Sequence, residues 1–159
     1  MVQAELAGSP HVDVEAGQLL VGVAARLTRL HSKVLTELEV PLTFRQHRTL
    51  VRVRGGVTSL TELASYGNLA IPTVSEGVEV LVRRRLLNRV PSPADRRAIK
   101  LQITPAGAEA ADAGDEALQQ VADVLIGNVS PEGRALLTET LESIYDAATT
   151  YFKKPGDSD

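Results

Sequence analysis

The sequence predicts a mainly α-helical fold with one small β-hairpin. Two observations carry that reading. Apolar residues recur at steps of 3 and 4 along most of the chain, and the period drops to 2 only between Leu87 and Ile103. Glycine, proline and hydroxyl residues punctuate the segment borders, where turns and caps need them. The 159 residues suit one domain with extensions, and 43% hydrophobic with 23% charged residues is an ordinary globular composition. The expected organisation is a loose tail over 1–13 and a long helix within 14–40. A central lobe follows over 41–104, then further helices over 105–153 and a polar tail over 154–159.

The first helix is read from Val14 to about Leu38. Leu20, Val23, Leu27, Leu30, Val34 and Leu38 form its apolar stripe. Pro41 is expected to end it, because proline breaks the ladder and restricts the residue before it. Thr43 can cap a second helix to about Val53, and Gly55-Gly56 closes it. Arg45, Arg48 and Arg52 share one face of that helix. Ser59-Leu60-Thr61-Glu62 is a capping box, with a hydroxyl for an orphan amide and a carboxylate reaching back to the cap. The short helix it starts turns Leu60, Leu63 and Ala64 inward. It stops at Gly67-Asn68, which tolerate a left-handed turn.

The next helix is expected from Ile71-Pro72 to about Arg85. Val74, Val78 and Leu81 share its inner face, and Thr73, Glu76, Glu79 and Arg83 lie opposite. Two short helices joined by a tight turn, the second with a polar outer face, form a helix-turn-helix pattern. Leu87–Val90 then reads as a strand and Pro91-Ser92-Pro93-Ala94-Asp95 as a turn. Ala98–Ile103 is the returning strand, with Ile99, Leu101 and Ile103 on one face. Arg96 and Arg97 fall where the turn enters it. Thr104-Pro105 opens another helix, threonine at the cap and proline at the first helical position. Its expected stripe is Leu118, Val121, Ala122 and Leu125. Ser130-Pro131 opens the last helix, where Leu137, Leu141, Ile144, Ala148 and Tyr151 recur at helical spacing.

The net charge of −3 argues against a polyanionic partner until it is split by segment. From Arg45 to Lys100 the chain holds eleven basic and four acidic residues, while the rest carries a surplus of ten negative charges. A basic lobe on an acidic scaffold suits a polyanion-binding module, and scattered solvated charge is the other reading. Several function classes drop out. With no cysteine there is no disulfide framework and no zinc-thiolate site. His11, His31 and His47 are too scattered for a histidine metal cluster, so no metal is expected, and His31 and His47 read as structural or surface residues. No nucleophile–base pairing or phosphate-cradling glycine loop is found, so no enzyme, catalytic residue or cofactor is expected. No apolar run approaches the roughly 18 residues of a membrane span, and residues 1–17 do not read as a secretory signal. The expected compartment is the cytoplasm.

A helix-turn-helix followed by a hairpin is a winged helix. Its second helix can enter the major groove, which shows a distinct pattern for each base pair. A hairpin tip bearing arginine can reach the minor groove. Arginines on the helix from Thr43 would meet phosphates, which positions the protein without reading sequence.

The wing, Arg89-Val90-Pro91-Ser92-Pro93-Ala94-Asp95-Arg96-Arg97 followed by Leu101-Gln102-Ile103-Thr104-Pro105-Ala106-Gly107, resembles that of the MarR family of bacterial transcriptional regulators. Leu42-Thr43-Phe44-Arg45-Gln46, Leu60-Thr61-Glu62-Leu63-Ala64 and Pro72-Thr73-Val74-Ser75 resemble its other helix entries. The resemblance covers about Leu42 to Gly107 by motif and the whole chain by helix order. It implies double-stranded DNA as partner, with Thr73, Ser75 and Glu76 at the major groove, Arg96 in the minor groove and Asp95 holding the wing through an arginine. Arg97, Arg83, Arg45 and Arg48 are the further candidate DNA contacts. The outer helices would make a homodimer on a pseudopalindromic operator, with repression as the simplest outcome. A small aromatic or phenolic ligand would release it, though no binding residue for one can be assigned from sequence. Long apolar stripes that a lobe of this size cannot cover also call for a partner.

Some positions depart from the family pattern. Glu76 and Glu79 put acids where basic or polar readers are common, Gly77 replaces a larger apolar residue, and Arg85 replaces a helix-ending glycine. Ala70 offers no side-chain cap. The two glutamates motivate an alternative, a winged-helix protein-interaction module that has lost DNA binding.

Overall fold

The computed structural model of the chain describes residues 14–91 and 99–152. Helix α1 (Val14–Thr36) ends five residues before Pro41, earlier than the sequence suggested. The reason is packing. Leu35 and Leu42 are both fully buried, and the Leu42 amide donates to Leu35 O at 2.9 Å, so the chain must fold back ahead of the proline. Helix α2 (Phe44–Arg54) opens with a capping box. The Gln46 amide donates to Thr43 Oγ1 at 3.2 Å, and the Thr43 amide donates to Gln46 Oε1 at 2.9 Å. Helix α3 (Leu60–Gly67) repeats the device with Ser59 and Glu62, at 3.1 and 3.0 Å. Such caps contribute about 0.5–2 kcal/mol each. Asn68 ends α3 in the left-handed conformation, at φ 46°.

Helix α4 (Ile71–Arg83) packs Val74, Val78 and Leu81 into the lobe. It stops short of Arg85, which takes φ 60° where glycine is the easier choice. Strands β1 (Leu87–Pro91) and β2 (Ile99–Ile103) pair antiparallel, from Leu87 opposite Ile103 to Pro91 opposite Ile99. The Leu101 amide donates to Thr58 O at 2.8 Å and ties the hairpin to the approach to α3. The three isoleucine and leucine positions of β2 do not share one fate. Leu101 is buried and Ile103 half-buried, but Ile99, in the pair nearest the tip, is 63% exposed. The hairpin extends past the lobe that would have covered it.

Helix α5 (Pro105–Ile126) starts at Thr104, whose hydroxyl accepts from the Gly107 amide at 2.9 Å. Its buried face is made of small residues, Gly107, Ala110, Ala111 and Gly114, ahead of the expected Leu118–Leu125 stripe. Leu118, Val121 and Ala122 are half-buried and Leu125 is exposed. The small face lets α5 lie close on the lobe. A Cβ at Gly107 would sit 2.0 Å from Leu86 O, and one at Gly114 would sit 2.3 Å from His47 Cδ2. The core thus joins Leu42, Leu50, Leu63, Val78, Leu81, Leu87 and Leu101 to Ala110 and Ala111 of α5.

Helix α6 (Pro131–Phe152) is different. None of its described side chains is buried, and Leu136, Leu141 and Tyr145 stand exposed. In α1, only Leu35 is buried.

Candidate nucleic-acid interface

The site grows from the two faces of α4. The apolar face anchors the helix, so the polar face must point away from the lobe. Glu76 and Arg83 are exposed there, and Thr73 and Ser75 are half-buried. Ala70 makes no side-chain cap bond, and Pro72 occupies the first turn, where its missing N–H costs nothing. Arg45 and Arg48 are exposed on α2 and line one cavity together with Thr73. The structure therefore brings the α2 arginines and the start of α4 to one place. Asp95, Arg96 and Arg97, the wing candidates, lie outside the described residues.

Several charges on this lobe are already committed. Glu79 Oε2 is 3.4 Å from Arg89 Nη2, an ion pair between α4 and β1. Arg84 Nη2 donates to Pro41 O at 2.7 Å and Nη1 to Gln46 Oε1 at 3.3 Å, which fastens the end of α4 to the start of α2. Arg52 Nη2 donates to Tyr66 O at 3.1 Å, and its guanidinium lies 5.5 Å from the Tyr66 ring centre. The Ser59 hydroxyl, with the Thr58 and Ser59 amides, holds the Glu62 carboxyl below its usual range.

A second cluster joins the lobe to α5. Arg54 forks between Asp112 and Asp115, donating from Nη2 to Asp115 Oδ2 at 2.6 Å. The hydrogen bond to Asp115 raises the Arg54 pKa. His47 is fully buried beside this pair, its Nε2 3.1 Å from Asp115 Oδ1, in the space that Gly114 leaves open. Burial lowers the His47 pKa, and Asp115 only partly opposes it. The unfolded chain therefore binds a proton more readily than the folded one. Stability from this group is complete above the ordinary value of 6.5 and falls as pH drops from there toward the lower folded value. In urea titrations the wild type should lose stability on acidification through that window, and His47→Gln should lose less. Parallel pH profiles would contradict this role.

Sequence reasoning missed Arg84, the Arg52–Tyr66 contact and the Arg54–Asp112–Asp115 fork. The fork spans about sixty residues of sequence, and no local pattern signals it. His31 stacks on Phe44 with ring centres 5.9 Å apart, and His47 is a core residue, so both read as structural. Among the described residues no group of three or more histidines or carboxylates could hold a metal ion, and no helix is long and apolar enough to cross a membrane.

A capped helix-turn-helix with an open second helix, continued by an antiparallel hairpin, makes this a winged helix-turn-helix protein. A sequence model of the MarR family matches residues 40–98. An uncharacterized HTH-type transcriptional regulator of Bacillus subtilis, YhbI, is 35% identical over 75 residues, which are 47% of this chain and 45% of the relative. The matched segment thus spans less than half of that relative's length. Wild-type apo MarR from E. coli superposes with a TM-score of 0.68 at 21% identity, covering 85% of this chain and 98% of that one. FabT from Streptococcus pneumoniae, in complex with DNA, superposes with a TM-score of 0.77 at 16% identity, covering 86% and 97%. A mutant of E. coli MarR complexed with operator DNA gives 0.67 at 22% identity, covering 82% and 94%. Residues 40–98 thus resemble the MarR family, and the fold is the winged helix-turn-helix that these solved structures share.

Proposed function

We propose that the chain is a homodimeric, sequence-specific DNA-binding regulator that represses from a pseudopalindromic operator. One observation carries the reading: Arg45 and Arg48 line a single cavity with Thr73 at the start of α4, so phosphate-seeking cations stand beside the helix that would read bases. In this reading Thr73, Ser75 and Glu76 meet the major groove. Arg83, Arg45 and Arg48 meet phosphates, Arg96 and Arg97 reach from the wing, and Asp95 braces it. The lobe spans 41–104, and the helices of 14–40 and 105–153 make the dimer. The exposed apolar residues of α1 and α6 support that dimer, since monomers rarely leave such faces open. The DNA complexes among the structural neighbours support the partner. In this reading the protein works in the cytoplasm. The resemblance extends the proposal to release by a small aromatic or phenolic ligand. Glu79 is paired with Arg89, which removes half of the motive for a module that has lost DNA binding.

Fluorescence anisotropy with the chain's own upstream region tests the proposal. Nanomolar-range affinity that falls steeply with salt is expected. Equal affinity for a random duplex of the same length would overturn it. Arg96→Ala should lose about 1–3 kcal/mol of DNA affinity and leave sedimentation of the dimer unchanged. Unaltered binding would remove Arg96 from the interface.

A further inference from the structure

Arg45, Arg48 and Arg52 line a cavity of about 130 Å³ between α2 and the first half of α4. Its lining includes the apolar side chains of Leu63 and Val74. At Gly77 its α4 wall has no side chain, and a Cβ there would meet nothing within 4 Å. The space is therefore real room and not a packing seam.

The charge around this room is unbalanced. Among the described residues, no carboxylate lies within ion-pair distance of any of the three arginines. Burial lowers the Arg52 pKa first, and repulsion from Arg48 lowers it further. The bond to Tyr66 O and the ring of Tyr66 hold Arg52 in place without removing its charge. A guanidinium that is already ordered loses less freedom on binding an oxyanion, and its donors match the geometry of one.

Size narrows the occupant. Drug-sized ligands take pockets of roughly 300–1,000 Å³. At on the order of 30 Å³ per water, this cavity displaces a handful of waters, which suits one tetrahedral oxyanion. We propose that it is an oxyanion subsite that holds a single phosphate group between α2 and α4. A phosphate seated there touches both helices and so sets how α4 stands on the lobe. The group can come from the duplex backbone or from free inorganic phosphate, and only the backbone source rests on the DNA-binding reading.

Two variants separate the possibilities. Gly77→Leu fills the cavity and keeps every charge. Arg48→Gln removes a charge from an exposed side chain and carries the test if the first variant does not fold. In thermal melts, millimolar inorganic phosphate should raise the wild-type Tm above chloride of equal ionic strength, and both variants should lose that rise. An equal rise in all three chains would overturn the subsite, because it would report the general stabilising effect of phosphate as a salt or its binding elsewhere. So would the absence of any wild-type rise together with unchanged duplex binding by Gly77→Leu.

The source is read from duplex titrations in salt. If the subsite takes a backbone phosphate, Gly77→Leu lowers the slope of log affinity against log salt by about one. If it takes free phosphate, the slope is unchanged while the thermal response is lost. A phosphate response in a chain that binds no duplex keeps the subsite and removes the DNA reading.

Discussion

Gly107→Ala should cost about 3 kcal/mol of folding stability, the upper end of what overpacking usually costs. The added Cβ would sit 2.0 Å from Leu86 O, and the obstacle is backbone, which cannot rotate away. Leu86 is fixed in turn. Its amide donates to Leu81 O at 2.9 Å, and its carbonyl accepts from the Thr104 amide at 3.2 Å. Thr104 Oγ1 also lies 2.8 Å from Arg85 O, so one threonine joins the end of α4, the wing and the start of α5. Relieving the clash means lifting α5 from the lobe. Urea denaturation should show the loss, and the melting point should fall by roughly 6–12 °C. A change under about 1 kcal/mol would mean that α5 does not approach Leu86 this closely.

If the proposed dimer forms through α6, the double variant Leu141→Asp with Ile144→Asp should be a folded monomer that binds the proposed operator about 100-fold or more weakly. Both residues are exposed on α6, which has no buried described side chain, so the lobe does not depend on them. If α6 lies in the proposed dimer face, two carboxylates there would be desolvated without partners, which costs several kcal/mol. Losing the dimer removes the second lobe from the same duplex, and linked binding of that kind contributes a factor of 10²–10⁴. Sedimentation and anisotropy read the two effects separately. A variant that stays dimeric and binds DNA like the wild type would place the interface elsewhere.

The elements legible in the sequence were those with local causes. The Ser59–Glu62 capping box, the stop at Gly67-Asn68 and the Thr104-Pro105 start each need only neighbours within four residues, and all three appear. The inner face of α4 was equally plain, because Val74, Val78 and Leu81 repeat the helix period. What escaped depends on a distant partner. The end of α1 is set by Leu42 folding back on Leu35, not by Pro41. The small face of α5 reads as an alanine-rich spacer until Leu86 and His47 are seen against it. In the candidate site, the exposed positions of Glu76, Arg83, Arg45 and Arg48 follow from periodicity. The commitment of Glu79 to Arg89 and of Arg84 to Pro41 does not, because each crosses between elements. Those pairs change the charge that a partner meets.

In vitro selection of sites from a random duplex library, with the purified full chain, most directly tests a dimeric DNA reader. Two inverted half-sites should emerge, with centres about one helical turn, roughly 10–10.5 base pairs, or a multiple of it apart. A library that leaves selection unenriched, or a single half-site without its inverted copy, would contradict it.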